Sequence, residues 1–359
     1  MQPSLMRTAS NGPLAMRGFS LVELMVAMTL SLLLLAGVVA IFASSRSSYE
    51  TTDKLSRIQE SGRFALDQFV HDIRASGFLG CSRAPLVFTS VVTPGNFLYD
   101  FVDASGQFRS LSGFQYTSGS WSPALPSAGL PTAQLIPGSD ILAVRMPARD
   151  IAPQKLQKDL TVDTEELLFP PSTNTFKDSD IVMLYSCGRQ AFFQATKFNT
   201  TTGAMTHDQA GANLTNKLYF EPLKDFTQAV PVQTVIYYVA AKSATDSTPS
   251  LWRKTGIYDP EELVEGVEQM QIDYGVDTNN DYAVDKYQTA DAVTNWARVF
   301  SVRIALLVRS LEAYGGDKDT KDHYLLTGDD KVEVKAPKDG FYREVFTATV
   351  VIRSKAVTL

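Results

Sequence analysis

The chain has 359 residues, and 33 Lys and Arg stand against 39 Asp and Glu, for a formal net charge of −6. A net acidic surface lacks the cationic field that phosphate binding needs, which excludes nucleic acid as a partner of this chain by itself. The two cysteines, Cys81 and Cys187, suit one disulfide in an exported domain better than a metal site, which wants about four ligands at close spacing. Two unpaired thiols are the alternative. A bridge would close a loop of about 100 residues, for which the chain-entropy model gives ~4.7 kcal/mol.

In chain order, a short leader carrying Arg7 and Arg17 ends in Gly18. Phe19 follows, and Glu23 is the only charge before a run without an ionisable side chain from Leu24 to Ala43. At ~1.5 Å rise per residue, a helix of that length spans ~30 Å, one bilayer core. A cleaved secretory signal would put its cut after the apolar core, whereas the candidate cut at Gly18 precedes it, so the helix stays in the mature chain. A plain signal anchor is the other reading, but it does not call for Gly-Phe-x-x-x-Glu at the membrane edge. An acid carried to the bilayer centre costs ~2.5–3.5 kcal/mol, so Glu23 calls for a partner. Carboxylates also favour helix N-termini, and the two readings of Glu23 are compatible.

Past Ala43 the pattern predicts that the helix continues. Leu55, Ile58, Gly62, Ala65, Leu66, Phe69 and Ile73 recur at spacings of three and four, with Asp53, Arg57, Asp67 and Asp72 among the charges between them. That is an amphipathic helix with one face for a core, stopping near Ser76-Gly77. Residues 93–139 are dense in Gly, Ser and Pro and read as a long irregular insertion within one domain, with room for short strands, and not as a linker between two domains. After it, runs rich in Val, Ile, Tyr and Phe predict strands at Ile141 to Met146, Asp180 to Cys187, Gln190 to Phe198, Thr234 to Ala240, Val267 to Tyr274, Phe300 to Arg309 and Arg343 to Arg353. Arg303 and Arg309 point to one solvent-facing side. The fold class is α+β, one long helix on an antiparallel sheet.

Asp277, Asn279, Asp281 and Asp285 form D-x-N-x-D-x-x-x-D. Oxygens at alternate positions of a tight loop can converge on calcium. The loop departs from an EF-hand, with Tyr282 where Gly makes the turn and Gln288 where a bidentate Glu is expected. An Asp/Asn-rich turn is the plainer reading. A second acidic stretch from Asp317 to Asp330, interspersed with lysines, reads as a solvated loop. His71 sits beside Asp72 on the helix, while His207 and His323 read as loop residues. No nucleophile–base motif or phosphate-cradling loop appears, so no enzyme is expected.

The stretch Gly18 to Met28 resembles the class III signal of type IV pilins and type II secretion pseudopilins. The resemblance implies cleavage by a prepilin peptidase after Gly18, N-methylation of Phe19, and pairing of Glu23 with the Phe19 amine of a neighbouring subunit. It also implies a pilin-like plan: leader 1–18, membrane-spanning helix 19–43, amphipathic periplasmic half 44–77, and β-rich domain 78–359. Phe78-Leu79-Gly80-Cys81, the run Gly266 to Asp277, Trp296 before Val299 to Arg309, and Phe346 to Val350 resemble the PilW-like minor pilins. J-type pseudopilins share the Gly-Val-Glu strand more loosely. The likeness implies a minor pilin of a priming or tip complex, with other minor pilins, the major pilin and an inner-membrane assembly platform as partners. The alternatives are a secretion pseudopilin and a tip adhesin using the 93–139 insertion or the acidic loop.

Overall fold

The computed structural model describes residues 18, 20–78, 80, 87–93, 97–103, 105–126, 130–313, 319–326, 332–335 and 338–352. Expectations that fall on the leader before Gly18, on Phe19 and on Cys81 lie outside the described residues. The chain forms two compact units, Met1–Lys54 and Leu55–Leu359.

Helix α1 runs Leu21–Ala75. In the first unit every helical residue from Leu21 to Glu50 is exposed, and the stretch is long and apolar enough to cross a membrane, with a mean hydropathy of 2.6 over its most apolar window. In the second unit the helix buries Ile58, Gly62, Ala65, Phe69, Asp72 and Ile73, the stripe that the spacing predicts plus one acid that it does not. Phe69 and Ile73 are fully buried, which stabilises by about 1.5–3 kcal/mol for each side chain. The helix stops where expected, with Gly77 in the left-handed region at φ 71°.

The larger sheet has ten strands in the order β1 (Val87–Ser90), β8 (Arg189–Gln194), β7 (Ile181–Ser186), β11 (Gln228–Ala241), β4 (Ile141–Pro147), β2 (Leu111–Thr117) and β3 (Ser120–Ser122). Beside this path, β5 (Gln154–Lys155) and β12 (Pro249–Thr255) pair with β11, and β13 (Glu261–Glu265) pairs with β12. All pairings here are antiparallel except β1 with β8, which is parallel. A four-stranded antiparallel sheet runs β15 (Lys286–Gln288), β14 (Val267–Val276), β16 (Val299–Arg309) and β19 (Arg343–Val351). Two small ladders complete the set, β6 (Leu167–Leu168), β10 (Ala204–Thr206) and β9 (Lys197–Phe198), and the pair β17 (His323–Leu325) with β18 (Val332–Val334).

One core joins the three parts of the second unit. Ile58, Ala65, Phe69 and Ile73 of α1 meet Leu142, Val144 and Tyr237 of the large sheet and Ile272, Ile304 and Val350 of the small one. Helix and small sheet come close enough at Gly62 that a β-carbon there would lie 2.5 Å from the Phe346 ring. The two sheets are joined by the turn before β4. Asp140 donates its N–H to the Met270 carbonyl at 2.8 Å, its carboxylate accepts from the Ile272 N–H at 2.9 Å, and the Met270 N–H reaches Ser139 Oγ at 3.1 Å. The side-chain amides of Gln269 and Gln271 both donate to the Gly138 carbonyl. This turn closes the flank of β14.

Several expectations change. The 93–139 stretch holds strands, as allowed for, but β2 is not short: its seven residues pair with β4 as part of the large sheet. Leu111 and Phe114 are buried in different clusters on the two faces of that sheet, so no alternation marked the strand. Strand β11 begins six residues earlier than Thr234, running through Pro231, where β7 pairs with it. Proline argued against a strand there, since it cannot donate to a ladder. The outer side of β16 is not simply solvated. Arg303 stacks over Tyr287 at 3.9 Å and Arg309 over Phe341 at 4.3 Å, and Leu325 and Leu326 cover Ala305 and Leu307 between them.

Candidate functional site

Two places on α1 carry chemistry. At its start, Ser20 Oγ accepts the Glu23 N–H at 3.2 Å while the Ser20 carbonyl accepts from Leu24 at 3.1 Å. Ser20 is thus the N-cap, with Glu23 at the third helical position, where a carboxylate faces the positive end of the helix dipole. The sequence signal for this cap, Ser-x-x-Glu, lies inside the motif already singled out for other reasons. Gly18 is exposed, and among the described residues no cation pairs with the Glu23 carboxylate.

The second place is Asp72, which the spacing argument set among the polar residues and which is fully buried. Its carboxylate receives two bonds from Arg149, at 2.5 Å from Nη2 and 3.0 Å from Nε, and one from the Tyr237 hydroxyl at 2.5 Å. Gln68, one turn earlier, accepts from Arg149 at 3.0 Å and from Arg253 at 3.3 Å. Burial, and then the Asp72 charge, push the Tyr237 hydroxyl above its ordinary value, so it stays a donor. Helix and sheet are thereby tied by a buried charge with a full set of partners, the condition under which such a charge is tolerable. Asp72 follows Phe69 by three positions, and that core-facing phase was the available signal.

The D-x-N-x-D-x-x-x-D residues lie together in the loop between β14 and β15, where they bond to one another. Asp277, buried, accepts from the N–H groups of Asn279, Asn280 and Tyr282 at 3.1, 2.5 and 3.1 Å. Asn279 donates its side-chain amide to Asp281 and to Asp285, each at 3.1 Å. Asp285 accepts from the Thr278 N–H at 2.6 Å and hydroxyl at 2.8 Å, which hold its carboxyl below the ordinary value. Tyr282 takes φ 66°, the left-handed conformation that glycine supplies elsewhere. Calcium wants six to eight oxygens turned inward. Here the carboxylates accept the loop's own N–H groups, and the Asn279 side chain lies between Asp281 and Asp285. Among the described residues no group of three or more His, Cys, Asp or Glu forms a metal cage.

Asp319 and His323 differ from the expectation of a solvated loop, while Asp322 is exposed as expected and Asp317, Asp329 and Asp330 lie outside the described residues. Asp319 is buried and accepts from Arg343 at 2.9 Å and lies 2.9 Å from His323 Nε2, which places both at the foot of β19. Arg343 also bonds Asp339 at 2.7 Å and Glu268 at 2.6 Å. His207 lies in the loop after β10, as expected, but is buried there, with Nε2 at 2.8 Å from the Glu165 carbonyl and its ring against Phe193.

Beyond the helix, Phe78 packs edge-on against Tyr185 at 5.6 Å. Gly80, at φ 74°, lies so close to the Tyr185 ring that a side chain could not be placed there. Cys187 is exposed two residues past Tyr185, at the rim of an open groove of about 810 Å³ that Arg189, Tyr219 and Phe226 also line.

Two segments match known families. Residues 15–39 match the model described as Prokaryotic N-terminal methylation motif, which covers Gly18, Glu23 and the exposed apolar helix. Residues 236–354 match the model described as Type IV Pilus-assembly protein W, from within β11 to just past β19, so that the whole four-stranded sheet lies inside it. No curated protein and no solved structure matches the chain.

Proposed function

Starting from a PilW-like, type IV pilus-related minor pilin, membrane-anchored through its N-terminal helix, we propose that the chain joins other minor pilins in a complex that primes the fibre and stays at its tip. The observation that carries this reading is the coincidence of the methylation motif with a helix whose apolar residues lie open, Leu24, Leu33 and Phe42 being 55%, 70% and 71% exposed. Such a surface needs lipid before assembly and other apolar helices after it.

Prepilin peptidase cuts after Gly18, and the new amine on Phe19 is methylated. The helix waits in the inner membrane with the β domain in the periplasm. On docking at the assembly platform, Glu23 pairs with the Phe19 amine of a neighbouring subunit, which offsets the cost of an acid near the bilayer. The major pilin then extends the fibre from this complex. The role is structural and not catalytic. Each histidine is tied to a local partner: His71 to Asp72, His207 to a carbonyl and His323 to Asp319. A Cys81–Cys187 bridge fits the same picture, supported by Gly80 lying against Tyr185, two residues from Cys187.

The test is a count of surface pili, with type II secretion assayed alongside, in cells carrying no copy of this chain or only its Glu23→Ala form. Pili are expected to be lost without the chain and reduced with Glu23→Ala, at unchanged membrane insertion and secretion. Lost secretion with normal pili would make the chain a pseudopilin. Normal pili with lost attachment would make it an adhesin.

A further inference from the structure

The face of the large sheet turned away from α1 encloses a cation. Leu142, Val144 and Met146 of β4 point to the helix, Ile141 and Ala143 to the other face, and Arg145 shares that second face, fully buried. Its neighbours across the sheet are fixed by register. Thr234 of β11 stands opposite it on one side, and on the other its N–H donates to the Ser110 carbonyl at 2.8 Å, one residue before β2. Directly opposed residues carry their side chains on the same face, about 5 Å apart. Ser110, Arg145 and Thr234 therefore form one row, and all three are 0% exposed. Residues 97–101 cover it. Arg145 Nη2 donates to the Phe97 carbonyl at 3.3 Å, its guanidinium lies 4.9 Å from the centre of the Phe97 ring, and Thr234 Oγ1 donates to the Leu98 carbonyl at 2.8 Å.

Hydrogen bonds in this row do not close. Arg145 Nη1 donates to Ser112 Oγ at 2.9 Å. Arg145 Nε and the Ser110 hydroxyl, however, are both buried without a partner among the described residues, although their residues face each other. Arg109 Nε, on the residue next to Ser110, is a third such donor. The charges do not close either. Asp100 is the carboxylate that acts on Arg145, and it already bonds Arg109 Nη1 at 2.6 Å. Those two side chains are 29% and 26% exposed, so water screens them, whereas Arg145 lies wholly inside. Burial lowers the Arg145 guanidinium to about 9, which leaves it charged at neutral pH. Two cations against one carboxylate leave one positive charge over, and a buried charge without a counter-ion is costly.

We propose that a monovalent inorganic anion of chloride size binds between Arg145 Nε and the Ser110 hydroxyl, beneath residues 97–101. Guanidinium N–H groups can only donate, and an anion accepts from each donor while restoring neutrality. A water in the same place brings two hydrogens that need acceptors and no charge. The ion fastens residues 97–101 to the sheet, because the Arg145 that it neutralises also holds the Phe97 carbonyl. The site does not rest on the priming role: it concerns the folded domain, whichever machine the chain serves.

Thermal unfolding of the full chain in detergent micelles tests the site, in sodium chloride, bromide and gluconate at equal ionic strength. An ion bound only by the folded form raises the unfolding midpoint with its concentration. Chloride and bromide are expected to raise the midpoint by about 3 °C over gluconate, which is too large to enter, and the rise is expected to saturate. Arg145→Met nearly keeps the volume and removes the charge, so its midpoint is expected to be the same in all three salts. Ser110→Ala is expected to move the chloride curve to about tenfold higher concentration. The proposal is overturned if the wild type unfolds at one midpoint in all three salts, which would leave only water at Arg145 Nε. It is equally overturned if Arg145→Met keeps the full halide effect, which would mean an adventitious ion elsewhere. Should Arg145→Met fail to fold, an unshifted chloride curve in Ser110→Ala overturns it.

Discussion

At the scale of single residues, Asp72 decides more than its place in the sequence suggests. It sits in the apolar stripe of α1 and is satisfied from the sheet by Arg149 and Tyr237. Removing one partner of a buried pair leaves the other charge uncompensated, at a cost of about 3–5 kcal/mol. Asp72→Ala is therefore expected to lower the stability of the domain by that amount in denaturant unfolding, and Asp72→Asn by less, since the Tyr237 hydroxyl keeps an acceptor. Equal stability of Asp72→Ala and the wild type would mean that the clamp contributes nothing. Glu23 is the contrasting acid. Its surroundings within the chain leave its carboxylate unpaired among the described residues, which suits a partner from outside.

At the scale of elements, the β14–β15 loop shows how one composition can close in two ways. Alternating Asp and Asn could turn oxygens inward around calcium, but here they accept the loop's own amides, and Asn279 bridges Asp281 and Asp285. These bonds are local and need no ion. Chelator is expected to leave the thermal unfolding midpoint unchanged, and added calcium is expected to leave it unchanged too. A rise of several degrees with calcium would show that the loop reopens around the ion. The helix was legible because its period and its Gly77 stop both lie in consecutive residues. Strand β2 was not, because both its faces are covered and Gly113 lies in it, with no room for a side chain beneath Tyr274.

At the scale of the molecule, the joint between the two sheets sets a pH dependence. Asp140 is buried there, and burial, offset in part by the Ile272 and Tyr116 amides, pushes its carboxyl up to about 7. An unfolded Asp titrates near ~3.9. Between these values the folded chain holds a proton that the unfolded chain has lost, so stability falls as pH rises from ~4 to about 7 and is level above. Asp140→Asn is expected to flatten that fall while keeping an acceptor for the Ile272 amide. The comparison is the unfolding midpoint at pH 5 and pH 8 for both proteins. An equal drop in both would place the dependence elsewhere.

The anchor, the helix with its phase and end, the α+β class and most of the long strands were readable from consecutive residues, because periodicity, a turn residue or an uninterrupted apolar run is a local property. The family resemblance was readable for the same reason, resting on short motifs at the helix start and along the late strands. Which residues meet across the fold was not. Asp72 beside Arg149, Asp319 beside Arg343 and Asp140 under β14 are each decided by strands that lie far apart in the chain, and a charge in an apolar stripe looks like an error until its partner arrives.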